Sequence, residues 1–337
     1  MKLAVDVMGF ENDINEAIKA CRKFKKQNPD ISLILVGDEN KIRPLFKLQN
    51  EFEVFHSEQE ILQTDTPLSA RRKQNSSIHN AARLLKEGNV DGLLSAGSTP
   101  VFVSIMYSTI GLLPGIKKPG FMPTIPTSDG KSFNMIDVGA SIDVEPIDLV
   151  KFAIMANAFA KQRVDSPVVG LLNIGTEEHK GLPYIREANE ILKKVNSINY
   201  KGFVESKELL NRTADVVVTD GFTGNVALKA CEGAAKAVAG IMKREYKKPY
   251  NILATILSLG IIKKVSKTFD YKEHAGAFVL GLQKICVKTH GSADEQQFFS
   301  SLNMLRDCLK FNVLENIKKD LEDFNTNVLP QLQKEEE

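Results

Sequence analysis

The sequence predicts an α/β fold in which a mostly parallel sheet is covered by helices on both faces. Short apolar runs alternate with helix-period stretches along most of the 337 residues. Each run ends in Gly, Ser, Asp or Asn, and no internal repeat or low-complexity linker interrupts the alternation.

The runs are LAVDVM from Leu3, ISLILV from Ile31, DGLLSAG from Asp91, FNMIDVG from Phe133, PVVGLLNIG from Pro167 and DVVVTDG from Asp215. Helical periodicity fills 14–24, 76–86, 149–161 and 225–243 between them. A single α/β unit is expected over 1–330, with an inserted helical segment at 249–269 and a polar tail at 331–337.

Composition removes several classes of function. Hydrophobic residues make up 43% and charged residues 26%, which excludes disordered and collagen-like chains. The 44 basic and 42 acidic side chains nearly cancel, so net charge gives no reason to expect nucleic acid. Cys21, Cys231, Cys286 and Cys308 are scattered without a C-x-x-C pair, which argues against a zinc ribbon or disulfide scaffold and fits a reducing cytosol. The apolar start is broken by Asp6, short of a signal-peptide core. The uncharged, mainly apolar stretch 249–262 is below the roughly 20 residues a membrane span needs. A cytoplasmic protein is expected.

In such folds ligands sit where strands end and helices begin, because helix N-termini present unpaired N–H groups and a positive dipole end. The loop Ser95, Ala96, Gly97, Ser98, Thr99, Pro100 fits an anion, although a simple N-cap would use one of the same hydroxyls. Asp220, Gly221, Phe222, Thr223, Gly224 and Asn225 place two glycines, a hydroxyl and an amide at the next such turn, more than a cap requires. The loop 173–181 gathers both charge signs and sets Lys180 before a glycine; a solvated surface run is the alternative. Ser76 and Ser77 can cap the helix that follows them, with Lys73 adding charge beside an anion, and His290 lies in the polar turn HGS.

The chain has no G-x-G-x-x-G, no G-x-x-x-x-G-K-[ST], no H-E-x-x-H and no G-x-S-x-G. No metal cluster and no activated nucleophile stand out, so an enzyme that positions anions is expected, with no metal and no cofactor. The segment 249–268, PYNILATILSLGIIKKVSKT, is apolar and flanked by Lys243, Arg244, Lys247 and Lys248 before it and by Lys263, Lys264 and Lys267 within its end. It suits an interfacial helix on anionic lipid or a dimer-packing helix with snorkelling lysines. Gly260 leaves open one helix or two joined by a turn.

Taken together, DVMG at 6–9, SAGST at 95–99, IDVGAS at 136–141, GLLNIGTEEHKG at 170–181, DVVVTDGFTGNVALKACEG at 215–233, HAGAFVLGL at 274–282 and THGSA at 289–293 resemble one family in this order. It is the bacterial phosphate acyltransferase family of phospholipid synthesis (PlsX), and the match covers nearly the whole chain. The resemblance implies a three-layer α/β/α sandwich similar to phosphotransacetylases and isocitrate dehydrogenases, with an interlobe cleft and a homodimeric assembly. It implies transfer of a long-chain acyl group from acyl carrier protein to inorganic phosphate, and peripheral membrane association through 249–268. Val7, Phe10 and Glu11 replace the family's alanine, glycine and aspartate, and Ser98 and Pro100 replace asparagine and glycine. Phe10 is expected beside the cleft, where it would alter acyl-chain fit.

The mechanism expected on this basis has phosphate, held by the 95–99 turn, attacking the thioester directly. Lys180 neutralises developing charge, and Asn225 and Thr223 donate to the carbonyl oxygen. Asp6, Gly9, Lys73, Ser76, Ser95, Gly97, Ser98, Thr99, Asp220, Gly224 and His290 are the expected substrate-binding residues. All are expected around one crevice. The competing classes are a phosphotransacetylase that uses coenzyme A, and a non-catalytic dimeric scaffold that binds carrier protein or membrane.

Overall fold

The computed structural model of the chain describes residues 1–268 and 276–335. Phe269 of the inserted segment, His274 and Ala275 of the HAGAFVLGL match, and Glu336 and Glu337 of the tail lie outside the described residues.

The first half of the chain comprises β1 (Lys2–Asp6), α1 (Ile14–Gln27), β2 (Ser32–Gly37), α2 (Glu39–Ile42), β3 (Glu53–His56), α3 (Pro67–Ala70), α4 (Ser77–Lys86), β4 (Gly92–Ser95) and α5 (Thr99–Ile110). Helix α1 shows why the pattern folds as it does. Asp13 caps it by accepting from the Asn15 N–H at 2.9 Å, and Lys25 and Lys26 face the negative end of its dipole. Ala17, Ile18, Cys21 and Phe24 recur at helical spacing and are buried.

The chain continues through β5 (Gly120–Pro126), β6 (Ser132–Ile136), α6 (Pro146–Ala160), β7 (Val168–Asn173), α7 (Pro183–Leu192), β8 (Asn199–Glu205), β9 (Val216–Val218), α8 (Gly221–Tyr246) and α9 (Ile252–Thr268). It ends with β10 (Ala277–Leu280), β11 (Ile285–Lys288), α10 (Glu295–Lys310), α11 (Val313–Asp323) and α12 (Leu329–Glu335).

The eleven strands among the described residues form one sheet in the order β3-β2-β1-β4-β11-β10-β5-β6-β9-β7-β8. Strands β3, β2, β1, β4 and β11 run parallel, as do β6, β9, β7 and β8. Between these blocks, β10 is antiparallel to both β11 and β5, and β5 is antiparallel to β6. Three reversals therefore separate the blocks, and their C-terminal ends leave the sheet in opposite directions.

Helices cover both faces, giving the expected α/β/α sandwich. On one face α1, α6, α7, α10 and α11 bury Phe24, Phe152, Leu192, Phe298 and Ile317 in the main core. On the other, α4 and α5 cover the first block through Ile78, Leu85 and Phe102, and the start of α8 covers the second through Ala227 and Leu228. Leu112 and Phe121 each belong to two of these clusters and join them.

Helix α8 outruns its sheet. Its 26 residues extend roughly 39 Å, and only Gly221 and Gly224 are buried. It turns into α9 through Asn251, whose side-chain amide donates to the Glu245 carbonyl at 2.9 Å, and Thr255, whose hydroxyl donates to the Tyr246 carbonyl at 2.8 Å. Helix α9 is continuous through Gly260, where an added Cβ would meet nothing. The alternative of two helices and a turn is thereby set aside. Spacing puts Ile252, Ile256 and Leu259 on one side of α9 and Leu257, Ile261 and Val265 on the other; all six are exposed. No helix among the described residues is long and apolar enough to cross a membrane.

Candidate active site

The reversal of the sheet divides the expected site residues into two groups. The loop carrying Ser95 and Thr99 leaves β4, whereas the loops carrying Lys180 and Asn225 leave β7 and β9. Four strands stand between β4 and β9, a lateral separation of roughly 24 Å at about 4.8 Å per strand. The single crevice expected to gather Thr99, Lys180 and Asn225 is therefore two edges within one chain. Sequence carries no signal of strand direction across the antiparallel β10 and β5, which is why the two edges read as one.

The first edge is a row of three side chains on adjacent strands. Asp6 is level with Ser95, and Ser95 is level with Lys288. Strand alternation turns all three to the face covered by α4 and α5, because Ala4, Leu93 and Cys286, two residues earlier in each strand, lie in that core. The Ser95 hydroxyl donates to Asp6 Oδ2 at 2.7 Å, the Met8 N–H donates to Asp6 Oδ1 at 3.2 Å, and the Ser77 hydroxyl completes the set. Burial pushes the Asp6 carboxyl up to about 6 against the pull of these donors. The Gly97 N–H donates back to Ser95 Oγ at 3.1 Å. Ser98 occupies the N-cap of α5 without its hydroxyl bonding to the helix; Thr99 takes the first helical position and Pro100 the second, one residue later than expected. Asp6, Ser77, Gly97 and Ser98 line a small cavity at this point.

Several expected binding residues are engaged in structure instead. Lys73 Nζ donates to Asp65 Oδ2 at 2.6 Å and to the Glu60 carbonyl at 3.0 Å, so its charge is already met. The Ser76 hydroxyl pairs with His79 Nδ1 at 2.8 Å rather than capping α4. At Gly9 (φ +72°) a Cβ would stand 2.2 Å from the Ile61 carbonyl oxygen, so glycine there permits a close backbone approach. Phe10 lies edge-on to Phe298 at 5.2 Å and packs on the opposite core, not beside the cleft. His290 stands at the rim, its pKa lowered by burial first and by the Lys288 charge next, with Glu11, Glu232 and Lys236 also acting on it. The last two lie on α8, so that helix reaches from one edge toward the other.

Sequence reasoning missed Lys288. It is only 7% exposed, and its ammonium has no hydrogen-bond or ion-pair partner among the described residues. Burial pulls its pKa down to about 8, with Glu11 pulling the other way. The available signal was a lysine ending the apolar run ICVK, directly before the polar turn THGS.

The second edge is built on Asp137, which also went unread. Its Oδ1 accepts from the N–H groups of Phe121, Gly139 and Ala140 at 2.8, 3.1 and 3.0 Å, and its Oδ2 from Ser141 at 2.6 Å. Burial lifts this carboxyl to about 6. Asp220 caps α8, accepting from the Thr223 N–H at 2.8 Å and the Tyr184 hydroxyl at 3.1 Å, so it fastens the turn rather than facing a ligand. A Cβ at Gly224 would stand 2.0 Å from the Asp137 carbonyl oxygen; this glycine lets the helix close on the loop. Thr223 is exposed, and the half-buried Asn225 amide lies beside Gly139. Asn173 ties the 173–181 loop by donating to the carbonyls of Gly175 and Lys180 at 3.2 and 3.1 Å. Lys180 itself is 40% exposed and paired with Glu177 at 2.7 Å.

Residues 1–316 match the family model described as "Fatty acid synthesis protein". The chain is 56% identical over 328 residues to a phosphate acyltransferase of Ureaplasma parvum, covering 96% of this chain and 98% of that protein. This chain belongs to the phosphate acyltransferase family. Phosphate acyltransferases of Malacoplasma penetrans and Mycoplasma genitalium are 49% and 44% identical, each covering 96% of this chain and 99% and 98% of their own lengths. The family is one of acyltransferases, and acyl transfer to phosphate is its chemistry. Among solved structures, a phosphotransacetylase from Streptococcus pyogenes superposes with a TM-score of 0.60 at 17% identity, covering 96% of this chain and 94% of that one. A branched-chain phosphotransacylase from Enterococcus faecalis gives 0.56 at 15% identity, covering 91% and 98%. These two share the fold.

Proposed function

We propose that the chain transfers a long-chain fatty acyl group from acyl carrier protein to inorganic phosphate. A phosphate oxygen attacks the thioester carbonyl, the C–S bond breaks, and the phosphate proton passes to the departing thiolate. The products are acyl phosphate and free carrier thiol. The observation that carries this reading is the anion-binding character of the α5 edge, with its unused Ser98 hydroxyl, in a chain of the acyltransferase family. Direct attack is supported by the state of the nucleophiles. The Cys21, Cys286 and Cys308 thiols are buried and raised in pKa, Cys21 to about 12. Ser95, although bonded to a carboxylate, is fully buried.

Phosphate takes the α5 edge, while Lys180, Thr223 and Asn225 serve the carbonyl oxygen. The distance between the two edges is closed by a second copy of the chain, so that Lys180 and Asn225 of one protomer face Thr99 of its partner. The exposed stripes on both sides of α9 support a homodimer that also rests on a membrane surface, with the lysines around 249–268 meeting anionic lipid or the acidic carrier.

The test follows thiol release and acyl phosphate from palmitoyl carrier protein with and without phosphate. Lys180→Ala and the double variant Ser98→Ala/Thr99→Ala are each expected to be nearly inactive. Dissociated and reassociated in equal amounts, they should recover about a quarter of wild-type activity, because half the dimers are mixed and each mixed dimer has one intact site. No recovery would place both edges in one chain's reaction. Thiol release independent of phosphate would overturn the activity itself.

A further inference from the structure

We propose that Lys288 is the cation that holds phosphate at the α5 edge. The inference rests on the assignment of phosphate to that edge and names a residue outside the set the sequence suggested.

A lysine only 7% exposed and left without a partner is costly to the fold, so its place in a buried row needs a reason. Lys73, the cation expected from sequence, is neutralised by Asp65. Lys288 is the neighbour of Ser95 on the next strand and shares its face, beside the N-terminus of the 12-residue α5. Helix N–H groups, the Ser98 hydroxyl and an ammonium form the donor set that a phosphate dianion fits. The remaining charges explain the separation of duties. Asp6 is held by Ser95 on the far side of the row, so it does not neutralise the ammonium. Glu11 approaches Lys288 from the β1–α1 loop, as does the His290 ring from the rim, with Glu232 and Lys236 of α8 beyond it. None of these forms an ion pair with Lys288 among the described residues. The anion that would pair with it comes from solution.

The experiment measures steady-state kinetics on full-length Lys288→Met, which keeps the length of the stem. KM for phosphate should rise at least about tenfold, while KM for the acyl carrier substrate stays within about twofold. Inorganic phosphate alone should raise the melting temperature of the wild type and leave that of Lys288→Met unmoved. An unchanged phosphate KM, or an undiminished melting shift, overturns the proposal. Should the variant fail to fold, the wild type still decides the matter. Its phosphate KM should climb as pH rises through about 8, where Lys288 discharges and His290 is already neutral; a level KM from pH 7 to 9.5 overturns the proposal. Ser98→Ala separates the two readings. If it raises the phosphate KM and Lys288→Met does not, the lysine assignment fails alone; if neither does, phosphate is not at this edge.

Discussion

Asp6 and Asp137 occupy matching places in the two blocks of the sheet, at or one residue beyond a strand's C-terminal end, and burial lifts both carboxyls to about 6. Their donors differ. Asp137 is wrapped by four backbone N–H groups, and it fixes the 137–141 loop against which α8 closes. Asp6 is met by one N–H and two hydroxyls, in a row that ends in an unpartnered lysine. A carboxylate held by backbone is a fastening; one held by hydroxyls beside an uncompensated cation stands where the phosphate proposed above would bind.

The strongest way to break this contrast is Asp137→Ala. Four N–H groups, the one of Ser141 buried, would lose their acceptor, and the loop would reopen beneath α8. A loss of about 3–5 kcal/mol is expected in denaturant unfolding. Next comes Asn225→Ala, which should leave stability nearly unchanged because the amide holds nothing together. Turnover should fall by roughly 10²–10³, the cost of one donor to a developing oxyanion. An Asn225 variant that unfolds like Asp137→Ala would erase the distinction between fastening and function on the second edge.

Much of the fold was legible, and the reasons are physical. Six apolar runs appear as β1, β2, β4, β6, β7 and β9, because strands buried on both faces write themselves as continuous Val, Leu and Ile. Strands β3 and β8 escaped notice because they lie at the sheet's two edges, where EVFH and NYKGFVE carry exposed polar residues. The antiparallel β5, β10 and β11 were also missed, and with them the reversal that splits the site. Loops were legible as candidate site walls, yet the partners of each side chain were not. Lys73 reads as a free cation until Asp65 is placed beside it, and Gly9 and Gly224 read as ligand-facing until the carbonyls that crowd them are seen. Lys288 went unremarked because a single charge at a strand end has no spacing to betray it.

The finest test of the contrast replaces each aspartate by asparagine, which keeps shape and removes charge. At Asp6 the new amide faces hydroxyls, and a hydroxyl can turn from donor to acceptor. The Ser95 Oγ that donated to Oδ2 can accept from Nδ2, so the row stays satisfied. At Asp137 the amide would face the Ser141 N–H, a donor that cannot turn. The pH dependence follows from the raised pKa. Between about 4 and 6 the unfolded chain gives up the Asp6 proton while the folded chain keeps it, so the wild type loses stability as pH rises through that window. Asp6→Asn is indifferent to this window. It should match the wild type near pH 4 and exceed it by about 2–3 kcal/mol above pH 6. Asp137→Asn should gain the same relief and forfeit more by the clash with Ser141, ending less stable than the wild type at pH 7. Equal responses of the two variants in urea unfolding between pH 4 and 7 would mean that the identity of the donors, backbone or hydroxyl, does not matter.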